Sequence, residues 1–565
     1  MRIRNRIALF VGQADEDYQK RFINGFLKKA FASDYDVCIF SMYRKYQDTV
    51  ERERGESNIF SLMNPEMFDG AVILKDSIQT ANAAQELEEH LNNTFKKPIV
   101  VIEKESDLFP SICTDCYGAV FELVSHLIEI HDFKDIAFLS GKKWHKHSKE
   151  RLHGYIDAMK SHGLPVTDDR IIYGDFWYQS GELCAEQLLA QERELPEAVA
   201  CANDQMAIGL CKGFEANGIR VPEDISVIGY DSVFEGQTSP KSITSALIPA
   251  EEFGEYAFYY IMTKMKGETP ESFKVNPKII FGESCGCHGD EVPKYDLKRS
   301  EWGTDISEEG YNSIFNTMAE TLISQSSLPD FLGSVYSYAY QLRGAKEFHL
   351  CLCAPWKHMG QGIHCANEGY SDEMIHAVRY CSDHKNNMVG LYDFFPVKAM
   401  LPELLEEHEK PAVYIFTPVF YENECYGYAV VQYGDVPRSY DDIYLKWISS
   451  VCRSIEVLRR DLILKQMQER LEKIHNNKFA VSSIYESLNT EEKQEYKLVA
   501  KILDENLLDY HFQPIVQVSN GEVYAYEALM RSRTEKKISP LAMIKYAAMQ
   551  NRLSDIECAT FMNVL

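Results

Sequence analysis

The strongest constraint on this chain is an alternation that runs through its first half. Short apolar runs rich in β-branched residues, IALFVG, DVCIF, GAVIL, PIVVIE, IAFLSG, AVACAND and ISVIGYD, are separated by segments of helical periodicity such as YQKRFINGFLKKAFA, AVFELVSHLIEI and MAIGLCKGFEANG. Runs without polar alternation suit strands covered by helices on both faces. From Arg4 to about Gly286 the chain therefore reads as parallel α/β structure. In open sheets of this kind ligands bind beyond the carboxyl ends of the strands, so the residues that follow each run are the site candidates.

A chain of 565 residues has room for three or four domains. Its 85 acidic residues outweigh 59 basic ones, for a formal charge of −26. A general electrostatic affinity for nucleic acid or anionic membrane is therefore not expected. No stretch approaches the ~20 apolar residues of a membrane span. The run from Ile7 to Val11 is too short for a signal-peptide core, so a cytoplasmic protein is expected. The fifteen cysteines are scattered rather than spaced as a framework, as for reduced thiols. Cys113 and Cys116, and Cys285 and Cys287, form close pairs. Neither has a second ligand pair at zinc-finger spacing, and both are expected to be structural or incidental.

Several longer motifs make a family visible. IHDFKDIAFLSG, RLHGYIDAMKSHGLPV, AVACANDQMAIGLCKGFEANGIRVPEDISVIGYDS and TSPKSITSALIPAEEFGEYA resemble, in order and spacing, the ligand-binding core of LacI/GalR-type regulators. The resemblance spans residues 1–288 and implies a periplasmic-binding-protein-like fold: two lobes joined by three crossing strands, closing about a ligand. DNA-binding members carry a helix-turn-helix ahead of this core. Here the first strand begins almost at the initial Met, so no DNA partner is expected and the core is read as a sensor. The resemblance makes Arg151, Asp204 and Asp231 the foremost ligand contacts, a fork of donors facing carboxylate acceptors. Asp115 and Asn203 lie at neighbouring strand ends, and Trp177 offers an apolar face for a sugar ring. Capping of helices or turns is the competing reading for Asn203 and Asp224. The loop Lys142–His147 is rich in cations and imidazoles. It points either to an anionic metabolite or to a solvated surface.

Residues 289–303 are polar and irregular, as in a linker. Residues 304–438 carry two amphipathic helices and then apolar runs ending in GYAVVQYGD, resembling an α+β GAF-like sensor. Residues 439–478 read as one long helix. Ile448, Val451, Ile455, Leu458 and Leu462 keep a 3-4 rhythm, and Leu464, Met467, Leu471 and Ile474 resume it after a slip. This predicts a parallel two-stranded coiled coil and a homodimer. A helix packed on its own domain is the alternative.

A connecting helix is expected at 479–504. From 505 to 565, FQPIV followed by YEALMR resembles the start of an EAL domain, the cyclic di-GMP phosphodiesterase barrel. The resemblance makes Glu527 a metal ligand and puts Gln513 and Arg531 against cyclic di-GMP. A complete domain would use two Mg²⁺ or Mn²⁺ ions. A (β/α)8 barrel needs ~250 residues, so the barrel is expected to be incomplete here and the chain inactive on cyclic di-GMP. The combined expectation is a multidomain α/β signalling protein that senses a sugar-like or anionic metabolite and addresses an EAL output. The alternative is a LacI-related regulator acting through partners without catalysis.

Overall fold

The computed structural model describes residues 4–44, 49–80, 82–272, 277–287, 308–358, 369–476 and 485–564. The chain divides into two compact units, one running to Leu458 and one from Arg459 onward. The expected linker at 289–303 lies outside the described residues.

In the first unit, β1 (Arg6–Gly12), β2 (Asp36–Met42), β3 (Gly70–Leu74), β4 (Ile99–Ile102) and the short β5 (Ser111–Ile112) form a parallel sheet in the order β2-β1-β3-β4-β5. Every residue of β1 to β4 is buried, as doubly covered strands require. Helices α1 (Asp17–Ala32), α2 (Val50–Ser57) and α3 (Ala83–Thr94) complete the connections of this lobe. The chain then crosses at Thr114–Asp115 into a second lobe. Its sheet runs β11-β10-β9-β8-β6-β7, from β6 (Ile136–Ser140), β7 (Ile171–Tyr173), β8 (Ala198–Cys201), β9 (Ser226–Tyr230), β10 (Thr244–Leu247) and β11 (Lys278–Ile280). Its helices are α4 (Cys116–His131), α5 (Lys146–Ser161), α6 (Tyr178–Leu189), α7 (Asp204–Ala216) and the short α8 (Phe234–Gln237). Helix α9 (Ala250–Met265) crosses back and packs on α1 of the first lobe before the chain returns to β11. The two helices approach so closely that a Cβ on Gly25 or Gly254 would stand about 2.0 Å from a backbone oxygen of the other. Three crossings between two lobes are what the sequence predicts.

The middle region does not stand apart from this core. After α10 (Glu308–Ile323) and α11 (Leu328–Tyr338), the strands β12 (Glu347–Cys353), β13 (Glu373–Cys381), β14 (Met388–Val389), β15 (Phe394–Pro396), β16 (Val413–Tyr421) and β17 (Glu424–Gln432) form an antiparallel array. Its edge strand β16 pairs in parallel with β2, from Val413 opposite Val37 to Phe416 opposite Phe40. One sheet of eleven strands results. The exposed edge of the first lobe is thereby covered, which removes an aggregation-prone surface. Phe40 stacks on both Phe10 and Phe416, with ring centroids 5.3 and 5.2 Å away.

A buried ionic cluster fastens the same seam. Asp36, at the start of β2, lies 3.4 Å from Arg6 Nε, 3.1 Å from Arg4 Nε and 3.2 Å from His408 Nε2. Its Oδ1 accepts from the backbone N–H of Ala412 at 3.1 Å, and Arg6 donates to the carbonyl of Leu404. Arg6 and Asp36 are fully buried. The hydrogen bond and contact to Asp36 hold the His408 imidazole above its usual value.

Helix α12 (Asp442–Asn476) follows the sheet and belongs to both units. Tyr444, Trp447, Ile448, Val451, Ile455 and Leu458 are buried in the first unit, and the Trp447 ring meets Phe348 edge-on at 4.9 Å. This corrects the coiled-coil reading for the front half of the helix, whose apolar stripe is consumed within one chain. Leu464, Met467 and Leu471 are exposed, at 63, 56 and 65%. The exposed part of the stripe thus begins only where the helix enters the second unit. The side chain of Ile474 lies outside the described residues.

The second unit contains α13 (Thr490–Asp504), β18 (Leu508–Val516), β19 (Val523–Ser532), α14 (Pro540–Met549) and α15 (Leu553–Val564). Asn489 and Glu492 close a reciprocal capping box at the head of α13, and Ser539 caps α14 with Pro540 at its first turn, as those residue types favour. Val499, Ile502, Leu508, Tyr510, Met543 and Tyr546 form the core. Among the described residues this unit holds a two-stranded sheet and no closed barrel. No described helix is long and apolar enough to cross a membrane.

Candidate ligand cleft and hairpin face

The two lobes of the first unit face each other across the carboxyl ends of their strands. On the second lobe Arg151 projects from α5 and lies flat over the Tyr230 ring, 3.7 Å from its centroid. Its Nη1 donates to the Ala202 carbonyl at 2.5 Å and its Nη2 stands 3.7 Å from Asp231 Oδ1. Asp231 follows β9 with φ of 101°, and Ser232 follows at 51°. Two consecutive non-glycine residues in the left-handed half of backbone space carry strain. The backbone bonds Asp231 N–H to Ala246 O and Ser232 N–H to Ser245 Oγ hold them there. The structure thus brings Arg151 and Asp231 together.

Asp204 is a correction. It is fully buried, with one carboxyl oxygen accepting from Ser245 Oγ at 2.7 Å and the other from Val233 N–H at 2.8 Å. Burial, with the nearby charge of Asp231, pushes it well above the usual carboxylate range. It braces the strained β9 turn from behind and has no face toward a ligand. Asn203 is likewise taken up in structure. Its Oδ1 caps α7 at Met206 N–H and its Nδ2 donates to the Phe176 carbonyl. Asp115 caps α4 through Gly118 N–H at 2.8 Å and is exposed. Asp224 closes a turn with Arg220, as the capping alternative predicts. Trp177 precedes α6 and is 55% exposed, free to offer a ring face.

The sequence reading named no residue of the first lobe. Glu103 follows β4 with φ of 65° and accepts from Tyr18 OH at 3.0 Å and Thr114 N–H at 3.1 Å. Burial raises its carboxyl above the usual value. Opposite it stands His147. Burial favours the neutral ring, but contact with the Cys116 sulfur at 3.4 Å and the field of Asp76 hold it at about 9. The loop Lys142–His147 therefore lies at the rim. Lys146 bridges the lobes to Glu105 at 2.7 Å. Both partners are well exposed, and such a pair contributes about 0–1 kcal/mol. It is a weak tie between the lobes. The arrangement offers a planar cation, an imidazolium and carboxylates from both lobes to a polar molecule.

One segment ties the carboxyl ends of β1 and β2 to α12. Ala14, just beyond β1, accepts from Ser439 Oγ at 2.9 Å, and Ser41 in β2 bonds Tyr440 OH at 3.0 Å. Both contacts lie immediately before the helix.

In the second unit the hairpin pairs Gln513 with Glu527 and Asp509 with Arg531. Cross-strand partners share a face, as do residues four apart on a strand. Gln513, Glu527 and Arg531 therefore occupy one face, while Leu508, Tyr510, Ala528 and Met530 of the other pack on the helices. Arg531 donates to the carbonyl of Met530 at 2.8 Å. Among the described residues no cluster of three metal-type side chains includes Glu527. A single glutamate does not supply the donor set that two Mg²⁺ or Mn²⁺ ions need.

Residues 124–285 match the periplasmic binding protein-like domain family. These residues form a LacI/GalR-type, periplasmic-binding-protein-like domain. The HTH-type transcriptional repressor PurR of Vibrio parahaemolyticus serotype O3:K6 is 27% identical over 282 residues, 49% of this chain and 79% of the repressor. Catabolite control protein A of Priestia megaterium is 31% identical over 223 residues, 38% of this chain and 64% of that protein. The solved structure of a LacI-family regulatory protein from Chloroflexus aggregans covers 49% of this chain and 96% of its own, at 23% identity and a TM-score of 0.41. Arg151, Asp231, Cys116 and His147 lie inside or at the edge of this LacI-type domain. Asp76, Glu103 and Tyr18 belong to the preceding lobe.

Proposed function

We propose that this protein is a ligand-sensing regulator that works through partners. A sugar-like or anionic metabolite binds between Arg151, His147 and Asp231 on one lobe and Glu103 and Asp76 on the other. Closure of the lobes is passed to α12. The observation that carries this reading is the pair of hydrogen bonds joining the carboxyl ends of β1 and β2, at Ala14 and Ser41, to Ser439 and Tyr440 at the head of that helix. The relatives of the sensor half are named as repressors and a catabolite control protein, which favours regulation over catalysis. Two helices followed by an antiparallel sheet favour the GAF-like reading of the middle region. Its buried His349, His376 and Glu403 and the half-buried Arg379 pair with one another, which favours a structural role for that cluster. No disulfide joins the described cysteines, which supports a reducing cytoplasmic compartment.

Calorimetric titration with a panel of sugars, sugar phosphates and inorganic phosphate tests the cleft. A ligand that binds the wild-type chain should bind Arg151→Ala roughly 10- to 100-fold more weakly, the scale of one lost charged hydrogen bond. Equal affinity in the two proteins would place binding elsewhere.

A second reading has its own support. The shared face of Gln513, Glu527 and Arg531 fits the opening hairpin of an EAL module, which would make cyclic di-GMP the output ligand. Since one carboxylate cannot position two metal ions, this chain should leave cyclic di-GMP intact in Mg²⁺ or Mn²⁺. Formation of the linear dinucleotide would contradict that expectation.

A further inference from the structure

The second lobe carries another cluster, remote in sequence and unrelated to the cleft residues. Cys285 ends the turn after β11 and Cys287 follows two residues later. Between them Gly286 takes φ of 93°, a left-handed conformation that glycine adopts at little cost and that lets both thiols turn inward. Against them stand His126 and His131 from the last turns of α4. The Cys287 sulfur is 3.4 Å from Nε2 of both imidazoles, and the Cys285 sulfur is 3.9 Å from Nε2 of His126. All four atoms lie within 4.8 Å of one another. A tetrahedral zinc ion bonds sulfur at ~2.3 Å and imidazole nitrogen at ~2.0–2.1 Å, which by simple trigonometry sets neighbouring donors about 3.3–3.8 Å apart. A thiol hydrogen can serve one imidazole, yet two Nε2 atoms converge on the Cys287 sulfur.

We propose that Cys285, Cys287, His126 and His131 hold one structural zinc ion. Two thiolates and two imidazoles form a donor set suited to zinc, and four protein ligands leave no position for a substrate. Thr244 Oγ1 points at the Cys285 sulfur from 2.9 Å, the outer hydrogen bond that tunes a coordinated thiolate. Phe281 lies 4.6 Å from the His126 ring and Phe133 stacks on His131 at 5.3 Å, so aromatic rings wall the site. Cys116, at the opposite end of α4, lies beside the cleft. The ion therefore pins the last described residues of the sensor core to the far end of the helix that begins in the cleft.

Metal analysis of the full chain, purified without chelator, should find about one zinc per chain. Cys287→Ser and His131→Ala should each lose most of it while keeping the wild-type circular dichroism. Because either variant could misfold, the wild-type chain supplies an independent reading. After chelation and titration with Co²⁺ it should show the intense visible bands of tetrahedral cobalt, with a near-ultraviolet thiolate-to-cobalt band abolished by added Zn²⁺. Zinc retained in folded variants, or only the pale spectrum of octahedral cobalt, overturns the proposal.

Discussion

Replacing Asp36 by alanine should destabilise the first unit by about 3–5 kcal/mol, the usual cost of removing one partner from a buried ion pair. The magnitude follows from what is left behind. Arg6 is fully buried beside Asp36, and taking away the carboxylate leaves a guanidinium in low dielectric with the Leu404 carbonyl as a neutral acceptor. The Ala412 N–H also loses its acceptor at the point where β16 meets β2. Asp36→Asn should cost less, because it keeps an acceptor while losing the charge. Urea unfolding followed by the fluorescence of Trp356 and Trp447, both buried in this unit, measures the effect. A loss below about 1 kcal/mol, the level of an exposed pair, would show that the seam is not held by this cluster.

The second large effect concerns α12, where neighbouring stretches of one apolar rhythm should respond oppositely. Ile455 is fully buried in its own unit. Ile455→Asp places a carboxylate there without a partner and should cost several kcal/mol or prevent folding. Leu464, Met467 and Leu471 are exposed at 3-4 spacing, and we expect them to form the seam of a homodimer. The triple change to aspartate should turn dimer into monomer while Trp447 fluorescence and the melting of the first unit stay as in the wild type. Sedimentation velocity reads the outcome. A dimer that survives the triple change places the interface elsewhere.

The parts of this architecture that sequence makes visible are those a single element decides. Strands covered on both faces announce themselves as unbroken apolar runs, and β1 to β4 lie where those runs are. Pairing between elements is another matter. DVCIF in β2 has the same composition as its neighbours, and nothing local tells that its free edge will take β16 from nearly four hundred residues away. The cleft divides in the same manner. Arg151 and Asp231 follow from strand ends and family resemblance. Asp204 follows a strand equally well, but its carboxyl turns back to Ser245 and Val233, a choice fixed by tertiary contacts. Glu103 ends PIVVIE and was open to the same reasoning. His126 and His131 were not, because their partners arrive only when the chain returns through β11. On α12 the heptad rhythm is real, yet periodicity alone does not say whether a stripe meets the same chain or a second copy.

Regulation through α12 requires lobe closure to reach it through the carboxyl ends of β1 and β2. Hydrogen exchange on the full chain, with and without the sugar or phosphate ligand found by calorimetry, measures this most directly. Saturating ligand should slow exchange both at the strand ends around Ala14 and Ser41 and at the first amides of α12, Tyr444 and Leu445. At a ligand concentration that half-saturates the wild type, Arg151→Ala should show little of this protection. Protection confined to the two lobes, with the head of α12 exchanging as before, would contradict the coupling.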